Sequence, residues 1–308
     1  MKEELKTTKK RSILRLGLQV LLFFAVVLAL YLQLKDVKWN SFSQIHIEHY
    51  WPIFLAFALL FLNQGVEYVK WKLFTKHLIE DNGKTWKSFL AGLASGFLSP
   101  NGWGNVLGRM LFFRKRHSIQ IVLVTALGNL SQLLPTTIFG TIALCCRTDL
   151  NPVWLILSLG ISAVLLLFYF FGEKLFGKKS YRNKVIRHFK LMLLRFGYLR
   201  VTLLLLSIFR FLVFTVQFVL LFYAFGYTDF WMLTYSVWII YILTSFIPSL
   251  WSGKVLIRET AALFVFRDTI VDSQADIIVI CLLIWIINIV IPSLIGSFVL
   301  IPFKRNEQ

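Results

Sequence analysis

The chain has 308 residues, of which 57% are hydrophobic and only 16% charged, with a mean hydropathy of +0.71; that balance excludes an ordinary water-soluble domain. Its net charge of +18 comes from 33 Lys and Arg against 15 Asp and Glu. These basic residues lie between apolar stretches, a positive-inside pattern that points to membrane orientation and anionic inner-leaflet lipids and argues against nucleic acid.

A crossing helix needs about 20 apolar residues. Six segments reach that length, at about 13–34, 51–71, 118–144, 153–171, 201–224 and 275–302. The first follows the basic start Lys9-Lys10-Arg11. It is longer than a signal-peptide core and has no small-x-small cleavage site, so it reads as a retained span. An even number of spans, with basic residues at both ends, predicts two cytoplasmic termini.

The expected fold is therefore an all-α, polytopic integral membrane protein, one membrane domain over 1–308. A basic tail occupies 1–12, a first half 13–171, a basic cytoplasmic loop 172–200 and a second half 201–303. Trp51, Trp71, Trp154 and Trp231 fall near segment ends, where interfacial anchors belong. Cys145, Cys146 and Cys281 sit in apolar segments without Cys-x-x-Cys spacing, which predicts small buried hydrophobes.

Two further apolar stretches, 86–113 and 231–266, are interrupted midway. In the first, a limb from Ser88 to Leu98 meets the run Ser99-Pro100-Asn101-Gly102-Trp103-Gly104-Asn105, and a second limb runs to Phe113. Neither limb is long enough to cross, and both flanks are basic, so the stretch reads as a re-entrant hairpin entering from the cytoplasm. Gly92 and Gly96, and again Gly104 and Gly108, have the spacing that lets helices approach closely. The second stretch breaks at Pro248 to Lys254, including Gly253, and starts and ends outside by parity. The two breaks align, Trp103-Gly104-Asn105 through Arg109 against Trp251-Ser252-Gly253 through Arg258, with a proline three residues before each tryptophan. Similar broken hairpins entering from opposite faces predict an inverted repeat with the breaks near the midplane.

The loop from Gly172 to Arg200 is rich in Lys and Arg, and its second half spaces Val185, Ile186, Phe189, Leu193 and Phe196 as an amphipathic helix. That loop either lies on the inner leaflet or only fixes topology.

Intramembrane ionisable residues are the candidate site. Arg109 and Arg258 follow the two breaks, and a guanidinium fork suits a phosphate. The alternative is that Arg109 snorkels to the cytoplasmic face and Arg258 pairs with Glu259. Arg210 lies ten residues into its segment and needs a partner, Glu67 or Glu259, as an ion pair or a substrate contact. Asn63, Gln64 and Glu67, with Lys70 following, form a polar stripe that either lines a pathway or holds helices together. Asn101 and Asn105 at the first break complete the set.

No metal site is expected, because His46 and His49 lack a third ligand nearby. Gly172 to Lys179 imitates a phosphate-binding loop but lacks the Ser/Thr after Gly177-Lys178 and follows a span, not a strand. No catalytic constellation and no cofactor fingerprint is visible.

Ser95-Gly96-Phe97-Leu98-Ser99-Pro100-Asn101 through Gly108-Arg109, followed by Gly128-Asn129-Leu130-Ser131-Gln132, resembles the first conserved block of the lysylphosphatidylglycerol synthase transmembrane family, the flippase-like domain proteins. Ile247-Pro248-Ser249 through Ile257-Arg258-Glu259-Thr260-Ala261 resembles the second block. The resemblance spans about residues 15–303. Where that family commonly has a glycine-rich run before the second Arg-Glu, this chain has Leu250-Trp251-Ser252-Gly253-Lys254-Val255-Leu256-Ile257.

The resemblance implies a membrane domain that moves aminoacylated phospholipid across the bilayer. Synthase activity belongs to a separate soluble domain and is not expected here. The resulting expectation is a flippase-like protein of the cell membrane that handles a phosphate-bearing lipid or lipid-linked amphiphile. The alternative is a non-transporting membrane partner or scaffold of an envelope-lipid enzyme.

Overall fold

A computed structural model describes residues 45–79, 83–99, 103–146, 152–175, 184–246, 253–267 and 274–299. Among these residues the regular structure is all helical, with no strand. Five helical stretches are long and apolar enough to cross a membrane: Trp51–His77, Lys115–Cys146, Pro152–Lys174, Phe189–Ala224 and Gln274–Val299. This is the build of a membrane-embedded chain. The expected first span, 13–34, lies outside the described residues.

In chain order the helices are α1 (Trp51–Leu78), α2 (Thr85–Phe97), α3 (Gly104–Met110), α4 (Ser118–Cys146), α5 (Pro152–Leu175) and α6 (Lys184–Phe196). They continue as α7 (Arg200–Ala224), α8 (Phe230–Phe246), α9 (Gly253–Phe266), α10 (Gln274–Trp285) and α11 (Ile291–Val299). A 3-10 turn, Gly197–Leu199, joins α6 to α7, and a π-helical turn, Ile286–Val290, joins α10 to α11.

The two larger apolar cores each draw on both halves of the sequence, because α1, α4 and α7 give one end to each: Trp71, Leu127 and Leu203 to one, Ala56, Ala143 and Phe218 to the other. One gathers Trp71, Phe74, Phe89, Leu127, Tyr169 and Phe196 from α1, α2, α4, α5 and α6. The other gathers Phe218, Phe222, Val237, Ile240, Phe266 and Ile280 from α7 to α10. Burial sorts centre from rim. Only 17% of the apolar window of α5 is buried, against 61% for the α10–α11 stretch, so α5 is peripheral and α10–α11 central. The outward side chains of α5, such as Ile156, Leu157 and Val164, suit a hydrocarbon surrounding.

Each interrupted stretch carries two described helices, α2 and α3 in the first and α8 and α9 in the second. α2 and α3 run antiparallel in close contact, because Gly104 meets Ser95 and Ser99 while Gly108 meets Ala91 and Ser95. A Cβ on Gly104 would lie 2.0 Å from the Ser95 carbonyl oxygen, and one on Gly108 would lie 2.4 Å from that of Ala91. Glycine is thus required by the approach of two backbones. Ser99 closes the turn by accepting the Gly104 N–H at 2.6 Å. Ser95 Oγ lies 2.6 Å from the Ala91 oxygen and 2.7 Å from the Gly104 oxygen. α11 seals the outer side of α2, with Gly296 against the Leu90 carbonyl and Ser293 donating to that of Leu93 at 3.3 Å.

Gly104 and Gly253 open α3 and α9, so they belong to helices and not to the breaks proper. Pro100, Asn101, Gly102 and Pro248 lie outside the described residues.

Two further expectations are corrected. Trp51, Trp154 and Trp231 are more than half exposed, as anchors are, but Trp71 is 1% exposed. The apolar run ends near Trp71, whereas α1 continues to Leu78 and carries the indole inside the bundle. Of the cysteines only Cys281 is buried; Cys145 and Cys146, the last two residues of α4, are exposed.

The second half of the basic loop does form a helix, α6. Met192, Leu193 and Phe196 face the core, while Leu191, Leu194, Arg187 and Arg195 face outward. Arg200 holds it in place. Its Nη2 donates to Glu173 Oε2 at 2.6 Å and to the Leu193 carbonyl at 3.0 Å, and its Nη1 donates to the Phe170 carbonyl.

Candidate functional site

On a helix, positions i, i+4, i+7 and i+8 share a face. On α1 those positions are Asn63, Glu67, Lys70 and Trp71, and around them the structure assembles a polar cluster. Glu67 is its centre. Its carboxylate lies 3.4 Å from Lys70 Nζ, 3.3 Å from Arg210 Nη1 on α7 and 3.8 Å from Arg109 Nη2 on α3.

Each cation has a second support. Arg109 stacks on the Trp71 ring at 4.2 Å, and the Trp71 indole N–H donates to Ser88 Oγ at 2.9 Å, which fixes the ring. Arg210 Nε donates to Asn63 Oδ1 at 2.8 Å, and its guanidinium lies 5.1 Å from the Phe214 ring centre. Gln132 Oε1 on α4 accepts from Arg210 Nη1 at 3.3 Å and from Lys70 Nζ at 3.5 Å.

Prolines prepare the acceptors on two elements. A proline removes the N–H that would bond the carbonyl four residues earlier. Pro292 in α11 therefore leaves the Asn288 carbonyl free, and Gln64 Nε2 fills the vacancy at 3.2 Å. Asn288 lies within the π-helical turn, and its side-chain oxygen accepts from Asn63 Nδ2 in a short hydrogen bond. Such turns are over-represented at functional sites because they re-aim side chains. Pro135 does the same to the Ser131 carbonyl, one residue before Gln132.

Burial grades the cluster from closed to open. Lys70 is 1% and Arg109 4% exposed, while Arg210 and Glu67 reach 16% and 19%. Arg109 therefore does not snorkel to a face. Three cations surround one carboxylate, so the cluster carries an excess of positive charge at a depth where charge is costly. Several of its polar atoms also lack a hydrogen-bond partner: Arg109 Nε, Gln64 Oε1, Glu67 Oε2 and the nearby Asn105 Oδ1. Orphaned buried groups of this kind require an explanation, such as a water or an anion.

The structure brings Asn63, Gln64, Glu67, Arg109 and Arg210 together and keeps Arg258 and Glu259 apart from them. Those two sit on α9, where Arg258 Nε and Glu259 Oε1 are buried without a hydrogen-bond partner. Tyr241 on α8 lies within electrostatic reach of both Arg258 and Arg210, and stacks edge-on against Phe211, which links the two regions. Asn105 packs against Gly92 and makes no hydrogen bond through Oδ1. Asn101 lies outside the described residues.

Sequence reasoning named Lys70 only as following the polar stripe and left Trp71, Gln132 and Asn288 out of the candidate set. Lys70 and Trp71 stood at the edge of an apolar run. Gln132 was visible only within a motif. Asn288 is a lone amide in a very apolar segment, and Pro292 four residues later is the signal that its carbonyl is free.

In the segment before α1, the Glu48 and His49 N–H groups both donate to the Ala224 carbonyl, and His49 stacks on Tyr223 at 5.5 Å. Both residues thus serve to dock that segment on the end of α7.

Comparison with family models, with curated proteins and with solved structures finds no match for this chain. The functional reading therefore rests on its own residues.

Proposed function

We propose that the chain binds the phosphate-bearing headgroup of an anionic lipid or lipid-linked amphiphile at the Glu67 cluster and carries it across the cytoplasmic membrane. The observation behind this reading is the convergence of Lys70, Arg109 and Arg210 on a single carboxylate among apolar helices. Guanidinium groups suit phosphate oxygens bidentately, and such a ligand would satisfy the excess charge and the unpaired Arg109 Nε. The antiparallel α2–α3 unit, which brings Arg109 to depth on a helix too short to cross, fits the broken-helix sites of transporters. The resemblance to flippase-like membrane domains agrees with this.

In this reading both termini are cytoplasmic, the two broken units are copies of opposite orientation, and α6 rests on anionic inner-leaflet lipids. Movement is passive or ion-coupled.

A second reading keeps support from α6, whose Leu191 and Leu194 are exposed beside Arg187 and Arg195. That face would serve a scaffold that docks an envelope-lipid enzyme without moving lipid.

Reconstitution decides between them. Purified protein in liposomes should speed the transbilayer movement of a labelled anionic phospholipid over empty vesicles, and Arg109→Ala and Arg210→Ala should each slow it about tenfold or more. Movement no faster than in empty vesicles removes the transport reading and leaves the scaffold.

A further inference from the structure

Glu67 faces all three cations, with its Oε2 3.4 Å from Lys70 Nζ and 3.3 Å from Arg210 Nη1. It lies close to every cation, but its side-chain hydrogen bond goes to Lys70 and neither arginine is hydrogen-bonded to it. A purely structural buried pair is held by good hydrogen-bond geometry, because only that offsets the cost of desolvation. By contrast, the firm bonds in the cluster go elsewhere: Arg210 Nε to Asn63, Trp71 to Ser88, and Asn63 to Asn288. Those bonds hold the arginines and the amides in place without Glu67.

From this we infer that Glu67 is a resident counter-ion, a carboxylate that occupies the place of the ligand's phosphate and exchanges with it during each binding cycle. The inference rests on the proposed anion site and adds how that site releases what it binds. Empty, the cluster is partly neutralised by Glu67 and tolerates its surroundings. A ligand arriving at the more exposed side, where Arg210 and Glu67 are 16% and 19% accessible, takes over the guanidinium groups of Arg210 and Arg109. Glu67 then retains Lys70, its neighbour three residues along the same helix. Return of the carboxylate to the arginines expels the ligand. The site is thus built to hold an anion weakly enough to let it go, as transport requires.

Charge and reach make separate predictions. Glu67→Gln removes the competitor, so the cluster should bind a phosphate-bearing ligand about tenfold or more tighter and release it more slowly. Glu67→Asp withdraws the carboxylate by one methylene and should tighten binding by a smaller factor. The double variant Glu67→Gln/Lys70→Gln restores the charge balance and should return affinity close to that of the unsubstituted protein.

The test is equilibrium binding to the purified full chain in neutral detergent, with short-chain phosphatidic acid and inorganic phosphate as separate probes. Arg210→Ala serves as the reference. Tighter binding of phosphatidic acid by Glu67→Gln, with slower transbilayer movement in liposomes, is the expected result. Tightening seen with inorganic phosphate alone would transfer the exchange to a free anion and overturn its lipid form. If Arg210→Ala weakens binding but Glu67→Gln leaves it equal or weaker, counter-ion exchange is wrong and the site stands. If Arg210→Ala leaves binding unchanged, the site itself is wrong. Should Glu67→Gln not fold, Glu67→Asp decides, since an affinity at or below that of the unsubstituted protein contradicts the exchange.

Discussion

Trp71 supports Arg109 through its ring face and is itself held by Ser88, so the indole fixes a guanidinium that has little else to orient it. A desolvated cation–π contact contributes about 2 kcal/mol, and the lost indole hydrogen bond about 1 more. Trp71→Leu should therefore lower stability by about 3 kcal/mol, read as a fall in the thermal midpoint in detergent, with a loss of ligand affinity. A change confined to lipid-facing behaviour, with both quantities intact, would return Trp71 to the interfacial role its position in the sequence suggested. Asn288→Leu removes the acceptor of Asn63 but leaves the backbone bond from Gln64, so about 1 kcal/mol is expected by the same measurement. At this scale the sequence was informative about which residues are out of place in lipid. Asn63, Gln64, Glu67, Arg109 and Arg210 are all polar groups in apolar runs, and all five converge. It narrowed the partner of Arg210 to two carboxylates without choosing between them. Spacing could not choose Glu67 over Glu259 for Arg210, because that choice depends on how α1 packs on α7.

The α2–α3 unit shows how much of an element can be read from glycine. The spacings at Gly92 and Gly96 and at Gly104 and Gly108 predict close approach, and the backbones do meet there. Gly104→Ala or Gly108→Ala should separate α2 from α3 and cost about 1–3 kcal/mol, moving Arg109 off Trp71. Gly160→Ala is the matched control, since nothing lies within 4 Å of its added methyl on the lipid-facing side of α5. Because alanine is the better helix former, the control should be neutral or slightly stabilising, and a control as harmful as the α3 substitutions would rule out contact as the cause. Other features of the elements were hidden. The π-helical turn at Ile286–Val290 has no hydrophobic period of its own, and only Pro292 and Asn288 hint at it. The end of α1 was placed too early because polar residues beyond Trp71 stopped the apolar count while the helix continued on tertiary contacts.

Across the whole molecule, apolar runs and length were enough to indicate helices that suit a bilayer, because lipid imposes one demand on every backbone group. The two larger cores do not follow the two halves that the interrupted stretches define, since α1, α4 and α7 each contribute to both. Orientation is a different matter, since it depends on which face each half enters from. The proposed inverted arrangement predicts that single cysteines replacing Gly102 and Ser252, in a chain lacking Cys145, Cys146 and Cys281, are reached by a membrane-impermeant thiol reagent from opposite sides. Labelling of both from one side contradicts it.

The central claim is that a phosphate-bearing lipid sits among α1, α3 and α7. A photo-crosslinking phosphatidic acid, with its reactive group beside the phosphate, tests it in the intact protein. Peptides around Glu67, Arg109 and Arg210 should be labelled, and excess unlabelled phosphatidic acid, but not diacylglycerol, should abolish the labelling. Labelling confined to α5 or α6, or insensitive to competition, would contradict the account.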